Sequence, residues 1–155
     1  LSQDQVQVDE VVIHALRQIE YEGSTPDTVV VLQPTSPFKK VSDINRGLII
    51  FQANERSKTI VSVVQEHIPH FYWEGSQKQI FPIRHNPQRR LGRQWYGKNS
   101  MRENGAIYIA DVAQALDSKT FRVPPFVPLF MEEGLEIDTP EDWERAEELA
   151  TEWLN

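Results

Sequence analysis

One stretch of the sequence, VVVLQPTSPF at residues 29–38, restricts the possible folds more than any other. The run Thr28–Leu32 is apolar and rich in β-branched residues, a pattern typical of a strand buried on both faces of a parallel sheet. It ends abruptly in Gln33-Pro34-Thr35-Ser36-Pro37, where prolines fix the backbone between polar side chains. The stretch therefore predicts a buried strand that leaves the core through a stiff and polar loop.

The periodicity of the remaining sequence predicts an α/β domain. Apolar residues recur at helical spacing from Asp4 to Glu22, a second helix is expected with Ser42 as its cap, and Lys58–Val64 has the pattern of another strand. Strand, helix and strand in this order favour a right-handed βαβ crossover in a mostly parallel sheet. Later elements are predicted as a strand at Ala106–Ala110, a helix near Val112–Leu116, an extended run at Phe126–Phe130, and a helix from Thr139-Pro140 to about Trp153.

Composition limits the functional classes. The chain has 155 residues, no cysteine and a formal net charge of −7. This length suits one domain with a real core, and the acidity argues against nucleic acid as the main partner. Without cysteine, neither disulfides nor thiolate chemistry contributes. No apolar run approaches the roughly 20 residues that cross a bilayer, so no membrane partner is expected, and a cytoplasmic location is a mild expectation.

Residues 66–103 differ from the rest of the chain because they mix aromatic and basic residues with little periodicity. An irregular segment of this length in a compact domain is usually functional or an interface arm. RNA binding is one interpretation, but the acidic remainder of the chain disfavours it. A loop that binds a carboxylate or phosphate fits better, because guanidinium groups bind such anions through paired hydrogen bonds. The cations are Arg84, Arg89, Arg90, Arg93, Lys98 and Arg102.

Polar residues follow the first predicted strand at its carboxyl end, where open α/β sheets bind their ligands. Gln33, Thr35 and Ser36 are the candidates there, although a simple strand-to-helix loop is an equal alternative on pattern alone. Ser36 is not expected to be a nucleophile, because no G-x-S-x-G elbow surrounds it. Asn104-Gly105 comes directly before another predicted strand, which permits a tight turn and places an amide on the crevice side.

Glu136 and Asp138 are the candidate metal ligands. Their i, i+2 spacing places both carboxylates on one face if the segment is extended. Two such oxygen ligands suit Mg²⁺, which completes its shell with water and substrate phosphates. The alternative is that Asp138 only supports the start of the following helix.

Taken together, these stretches resemble the acylneuraminate cytidylyltransferase (CMP-sialic acid synthetase) family. The motifs occur in the family's order and near its spacing, and the similarity extends over essentially the whole chain. NPQRRLGRQW, at residues 86–95, is similar to the arginine-rich arm of animal-type members. The other matching stretches are QPTSP at 33–37, Arg93-Gln94, ENGAIYI at 103–109, and IDT at 137–139 with Asp142-Trp143.

The resemblance implies a Rossmann-like nucleotide-diphospho-sugar transferase fold, with a mostly parallel mixed sheet flanked by helices, and a homodimer. The implied substrates are CTP and an acidic nine-carbon sugar, sialic acid or a relative, whose anomeric hydroxyl attacks the α-phosphate with Mg²⁺ present. No residue is assigned as an acid or base. The implied substrate-binding residues are Gln33, Thr35, Ser36, Arg89, Arg93, Gln94 and Asn104, and the implied metal ligands are Asp138 and Glu136.

Two departures from the family pattern limit what the resemblance implies. The family usually has aspartate where this chain has Glu136, and the longer side chain shifts the ligand. The family's opening strand and its Arg/Gly/Ser/Lys-rich loop for the triphosphate are not found in these residues. We therefore expect an N-terminally truncated, single cytidylyltransferase-like domain, 1–155, with a dimerisation and sugar-binding arm at 66–103. The chain alone is expected to be inactive, and a non-catalytic sugar-binding or assembly module is the alternative function.

Overall fold

The computed structural model describes residues 6–56, 58–66, 72–76, 78–83, 88 and 100–153. The chain divides into two compact units, the first formed by Leu1–Val63 with Glu103–Asn155 and the second by Val64–Arg102. The roles of a single domain and of an arm at 66–103 stay predictions. The helices are α1 (Val8–Tyr21), α2 (Val41–Ala53), α3 (Val112–Ser118) and α4 (Pro140–Trp153), and the strands are β1 (Thr28–Leu32), β2 (Thr59–Gln65), β3 (Tyr72–Ser76), β4 (Gln79–Ile83), β5 (Met101–Asp111) and β6 (Phe126–Phe130).

Four of the strands form a mixed sheet in the order β1-β5-β2-β6. β1 runs antiparallel to β5, with Val30 opposite Ile109. β2 runs parallel to β6, with Ser62 opposite Leu129. The expected α/β class and mixed sheet are confirmed, but β1 and β2 are not neighbours because β5 lies between them. The expectation that Thr28–Leu32 is buried in a parallel sheet is wrong, because β1 is an antiparallel edge strand in which only Val31 is buried. The antiparallel edge follows from a pairing between distant parts of the chain, which local periodicity does not encode.

Successive residues of β5 contribute to two different hydrophobic cores, as the two-residue period of a strand requires. Tyr108 and Ala110 belong to a core with residues of α1 and α3. Ile107 and Ile109 belong to a second core with Phe51 of α2. Helices therefore cover both faces of the sheet. In the described ranges, none of the helices is both long enough and apolar enough to cross a membrane.

The start of α4 forms as the sequence predicts. The Thr139 hydroxyl accepts a hydrogen bond from the Asp142 amide at 3.2 Å, and the Asp142 carboxylate accepts one from the Thr139 amide at 2.9 Å. This reciprocal pair satisfies backbone donors that an α-helix leaves open at its first turn.

The predicted cap of α2 is wrong. Ser42 lies inside the helix and is exposed, whereas Lys40 is the N-cap and makes no side-chain capping bond. The reason is in the backbone, because Lys40 is still extended and its carbonyl already accepts the helical bond from Ile44 at 3.4 Å.

The second unit is more regular than the sequence predicts. Strands β3 and β4 form an antiparallel hairpin in which Ser76 lies opposite Gln79. Close to the ends of this unit, the Arg102 guanidinium forms an ion pair with the Glu66 carboxylate at 2.8 Å. The expectation of an irregular segment is therefore wrong for the hairpin residues.

Candidate functional site

The polar loop after β1, residues 33–37, is a closed turn, which we call the β1 loop. The Gln33 amide donates to the Ala106 carbonyl at 3.2 Å, so pairing with β5 continues one residue beyond β1. The Ser36 amide then donates to the Gln33 carbonyl, also at 3.2 Å, and closes a turn in which Pro34 takes the second position. Ser36 is buried, with 8% of its surface exposed.

The segment that follows β6 reaches the same place. The Ile137 amide donates to the Thr35 carbonyl at 2.8 Å, which joins residues 131–138 to the β1 loop. The early part of β5, around Asn104–Ala106, lies beside Gln33. Three stretches that are far apart in sequence therefore meet at the carboxyl end of β1, where the sequence predicted a binding crevice.

Asn104 has a side-chain amide whose two ends differ in their partners. Its oxygen accepts a hydrogen bond from the Ala106 amide at 3.3 Å, while its nitrogen lies 4.0 Å from the Met131 sulfur, a weak acceptor. The intervening Gly105 has φ +66°, a left-handed conformation that glycine adopts without steric cost. The turn thus holds the carboxamide oxygen and leaves the carboxamide nitrogen weakly satisfied.

The predicted metal ligands, Glu136 and Asp138, lie on the segment of residues 131–138 that follows β6. Residues 131–138 belong to neither a helix nor a strand, and the placement of both carboxylates on one face stays a prediction. Glu136 approaches β5, since its Oε1 atom lies 3.3 Å from the point where a Cβ on Gly105 would stand. Asp138 is exposed and contributes its backbone amide to the Asp142 carboxylate at 3.2 Å. Asp142 therefore supplies the capping carboxylate, and Asp138 supports the start of α4 through its backbone amide. Its role as a metal ligand stays a prediction.

The arrangement of carboxylates limits what these residues do alone. Within the described part of the chain, no three carboxylate, histidine or cysteine side chains form a group able to hold a metal ion. A pair of exposed carboxylates still suits Mg²⁺ when a substrate phosphate supplies further ligands.

Lys39 is a residue of the site that the sequence reasoning missed. Its ammonium donates to the Gln33 carbonyl at 2.6 Å and also to the Ser36 carbonyl. Burial lowers the pKa of Lys39. The neighbouring Lys40 differs, because it is exposed and pairs with the Glu132 carboxylate at 2.7 Å. Two adjacent lysines after a proline loop were the available signal, but the sequence does not say which one turns inward.

The sequence reasoning also missed a hydrogen-bonded pair near Asn104, formed by Tyr108 and Glu103. The Tyr108 hydroxyl donates to the Glu103 carboxylate. Burial, together with this carboxylate, raises the pKa of Tyr108 to about 12. The Arg122 guanidinium lies 5.1 Å from the centre of the Tyr108 ring and also binds the Asp9 carboxylate. These contacts fix the strand on either side of the Asn104-Gly105 turn.

Several polar groups of the β1 loop have no partner among the residues that the structure describes. The side chains of Gln33, Thr35 and Ser36 make no hydrogen bond there. A buried hydroxyl such as that of Ser36 usually has a protein, water or ligand partner, because an unmade bond costs about 1–3 kcal/mol. The site therefore offers unused donors and acceptors, as a hydroxyl-rich ligand requires. The predicted sugar-binding residues Arg89, Arg93 and Gln94 lie outside the described residues.

Comparison with known proteins finds a relative that matches nearly the whole chain. No protein-family model matches the chain. The CMP-N,N'-diacetyllegionaminic acid synthase of Legionella pneumophila is 30% identical to it over 152 residues, which cover 96% of the chain. The chain spans 65% of the length of that relative. Such an α/β domain with polar loops at its strand ends is the scaffold of many nucleotide-handling proteins. This similarity confirms the predicted resemblance to the acylneuraminate cytidylyltransferase family.

Proposed function

We propose that this protein is a nucleotidyltransferase that activates an acidic nonulosonic sugar, sialic acid or a relative, as its CMP-sugar. The similarity to a CMP-N,N'-diacetyllegionaminic acid synthase supports this activity. The observation that carries the proposal is the hydrogen bond from Ile137 to Thr35, because it joins the sugar-binding candidates to the metal-binding candidates. The mixed sheet accordingly serves as part of a Rossmann-like nucleotide-diphospho-sugar transferase fold.

In this proposal the β1 loop and Asn104 bind the sugar. The carboxamides of Gln33 and Asn104 offer donors to sugar hydroxyl or acyl oxygens, and the Thr35 and Ser36 hydroxyls both donate and accept. Because the backbone of the loop is already closed by the Ser36 and Gln33 bonds, little ordering is needed when the ligand arrives. Arg89, Arg93 and Gln94 are proposed to hold the sugar carboxylate, as the family resemblance implies.

The reaction depends on positioning and on stabilisation of charge. The anomeric hydroxyl of the sugar forms a bond to the α-phosphorus of CTP, and the bond to pyrophosphate breaks. Asp138 and Glu136 are the residues that would hold Mg²⁺, which neutralises charge on the phosphates when it is bound. The β1 loop keeps the sugar hydroxyl aligned for attack, and such alignment lowers the barrier without a covalent intermediate.

A non-catalytic sugar-binding or assembly module is the second candidate. It is favoured by Glu136, which stands where the family usually has aspartate. The enzyme and a sugar-binding module both require sugar binding, but only the enzyme requires turnover of CTP. A homodimer, in which residues 66–103 reach the partner subunit, is proposed for either case. Light scattering at micromolar concentration tests the dimer, and a monomer would contradict it.

Release of pyrophosphate from CTP, Mg²⁺ and a panel of nonulosonic acids separates the two candidates. The assay is run on these 155 residues and on the longest open reading frame that contains them. Turnover by the longer protein, lost in Asp138→Asn and kept in Glu144→Gln, supports the enzyme. Sugar binding without turnover supports the module. Absence of both binding and turnover contradicts the enzyme and the sugar-binding module.

A further inference from the structure

We infer that Lys39 is a positioning residue for the proposed sugar site and makes the β1 loop selective for an anionic ligand. This inference rests on the proposed function. The ammonium of Lys39 donates to the carbonyl oxygens at both ends of the turn, 2.6 Å from Gln33 and in direct contact with Ser36. One side chain therefore links two loop residues whose own side chains face no partner in the described chain.

These bonds determine which groups of the loop are left for a ligand. The carbonyls of Gln33 and Ser36 are taken by Lys39, and the carbonyl of Thr35 is taken by the Ile137 amide at 2.8 Å. The Pro37 carbonyl also accepts a bond, from the Lys39 amide at 3.0 Å, so of the five loop carbonyls only that of Pro34 has no partner among the described residues. What remains besides this carbonyl are side-chain groups and the Thr35 amide, which has no partner among the described residues. A loop with a spare backbone donor, and with four of its five carbonyls already hydrogen-bonded, favours an anion over a cation.

The charge on Lys39 favours an anion as well. Two neutral carbonyls accept its bonds, and no carboxylate pairs with it among the described residues. Burial is the cause of the lowered pKa of Lys39, in agreement with the lack of a paired acid in the described part of the chain. A half-buried cation without a counter-ion attracts a carboxylate more strongly than an exposed one, because solvent screens it less. An acidic sugar in this site supplies the missing negative charge.

Lys40 provides a matched control on the same short segment. It has the same side chain, but it is exposed and its charge is already paired with Glu132. Lys39→Met and Lys40→Met remove the same charge from the protein. A difference between them therefore reports the position of the ammonium and not the net charge.

The test compares N-acetylneuraminic acid with its methyl ester, which lacks the negative charge, by calorimetric titration of the 155-residue chain. The wild type and Lys40→Met are expected to bind the acid more tightly than the ester. Lys39→Met is expected to bind the acid at least tenfold more weakly, with the preference for the acid largely lost. Lys39→Arg keeps the charge and is expected to recover part of that preference.

The outcomes distinguish the inference from the function on which it rests. If the wild type binds neither sugar form, the proposed function fails and the inference falls with it. If the wild type binds the acid and a folded Lys39→Met binds it equally well, only the inference is overturned. If Lys39→Met does not fold, Lys39→Arg decides, because equal affinities for acid and ester in that folded variant would also overturn the inference.

Discussion

The carbonyl oxygen of Thr35 accepts a hydrogen bond from the amide of Ile137 at 2.8 Å. This bond connects the loop after β1 with the segment before α4, so it couples the proposed sugar-binding and metal-binding residues. Because both partners are backbone atoms, the connection does not depend on the identity of either side chain. A substitution that displaces one segment is therefore expected to disturb the other.

We predict that Gly105→Ala destabilises the protein by about 1–2 kcal/mol, because an L-residue pays roughly that cost in the left-handed region. Gly105 has φ +66°, and the added Cβ would stand 3.3 Å from Oε1 of Glu136. The measurement is the free energy of unfolding from urea titration.

Gly134→Ala is the control for this prediction. Gly134 lies on the segment that carries Glu136, and its backbone is not in the left-handed region. A Cβ at this position would meet no atom within 4 Å. We expect Gly134→Ala to leave the stability nearly unchanged. Equal losses in both variants would contradict the role assigned to the Asn104-Gly105 turn.

We predict that Thr139→Ala lowers stability by about 1 kcal/mol, the usual loss when a capping hydroxyl is removed. The hydroxyl bonds the Asp142 carboxylate at 2.8 Å, and this bond is the main cause of the lowered pKa of Asp142. A lowered pKa in the folded state gives stability above the unfolded value of 3.8, which is lost as pH falls through the folded value. Thr139→Ala should therefore also reduce the acid sensitivity. Thermal unfolding at pH 7 and pH 3, with the exposed Glu148→Ala as control, checks both effects.

We predict that the stability of the wild type falls between pH 10 and pH 12 more steeply than that of Tyr108→Phe. Burial and Glu103 raise the pKa of Tyr108 from 10.0 to about 12. A raised pKa means that the stabilisation is present below the unfolded value and is lost as pH rises through the folded value. Phenylalanine keeps the ring against Phe121, whose centre is 5.1 Å away, and removes only the titrating hydroxyl. Urea unfolding at pH 8, 10 and 11.5 measures the difference, and parallel curves would contradict the assignment.

The features that were predictable from sequence are those that local chemistry determines. The Thr139-Pro140 start of α4 and the strand Thr28–Leu32 were predicted at their observed positions, because caps, prolines and β-branched runs act over a few residues. The prediction of Ser42 as the cap of α2 was wrong, because the Lys40 carbonyl accepts the first helical hydrogen bond, so the helix begins before Ser42.

The features that were not predictable depend on contacts between distant residues. The position of β5 between β1 and β2 is one example, since strand pairing is chosen by the whole core. Lys39 is another example. Only in the folded β1 loop does the Lys39 ammonium reach the Gln33 carbonyl, whereas the Lys40 ammonium pairs with Glu132. The polar residues of the β1 loop were found because prolines surround them, whereas no local pattern distinguishes Lys39 from Lys40 or pairs Glu103 with Tyr108.

The most direct test of the central claim is equilibrium binding of an acidic nonulosonic acid to the chain, compared between Gln33→Ala and Gln52→Ala. Gln33→Ala removes the half-buried carboxamide but keeps the backbone bonds that close the loop, whereas Gln52 is an exposed residue of α2. We predict saturable binding to the wild type, unchanged in Gln52→Ala and about three- to tenfold weaker in Gln33→Ala, as expected for one or two neutral hydrogen bonds. Equal affinities in the two variants, or no binding to the wild type, would contradict the account.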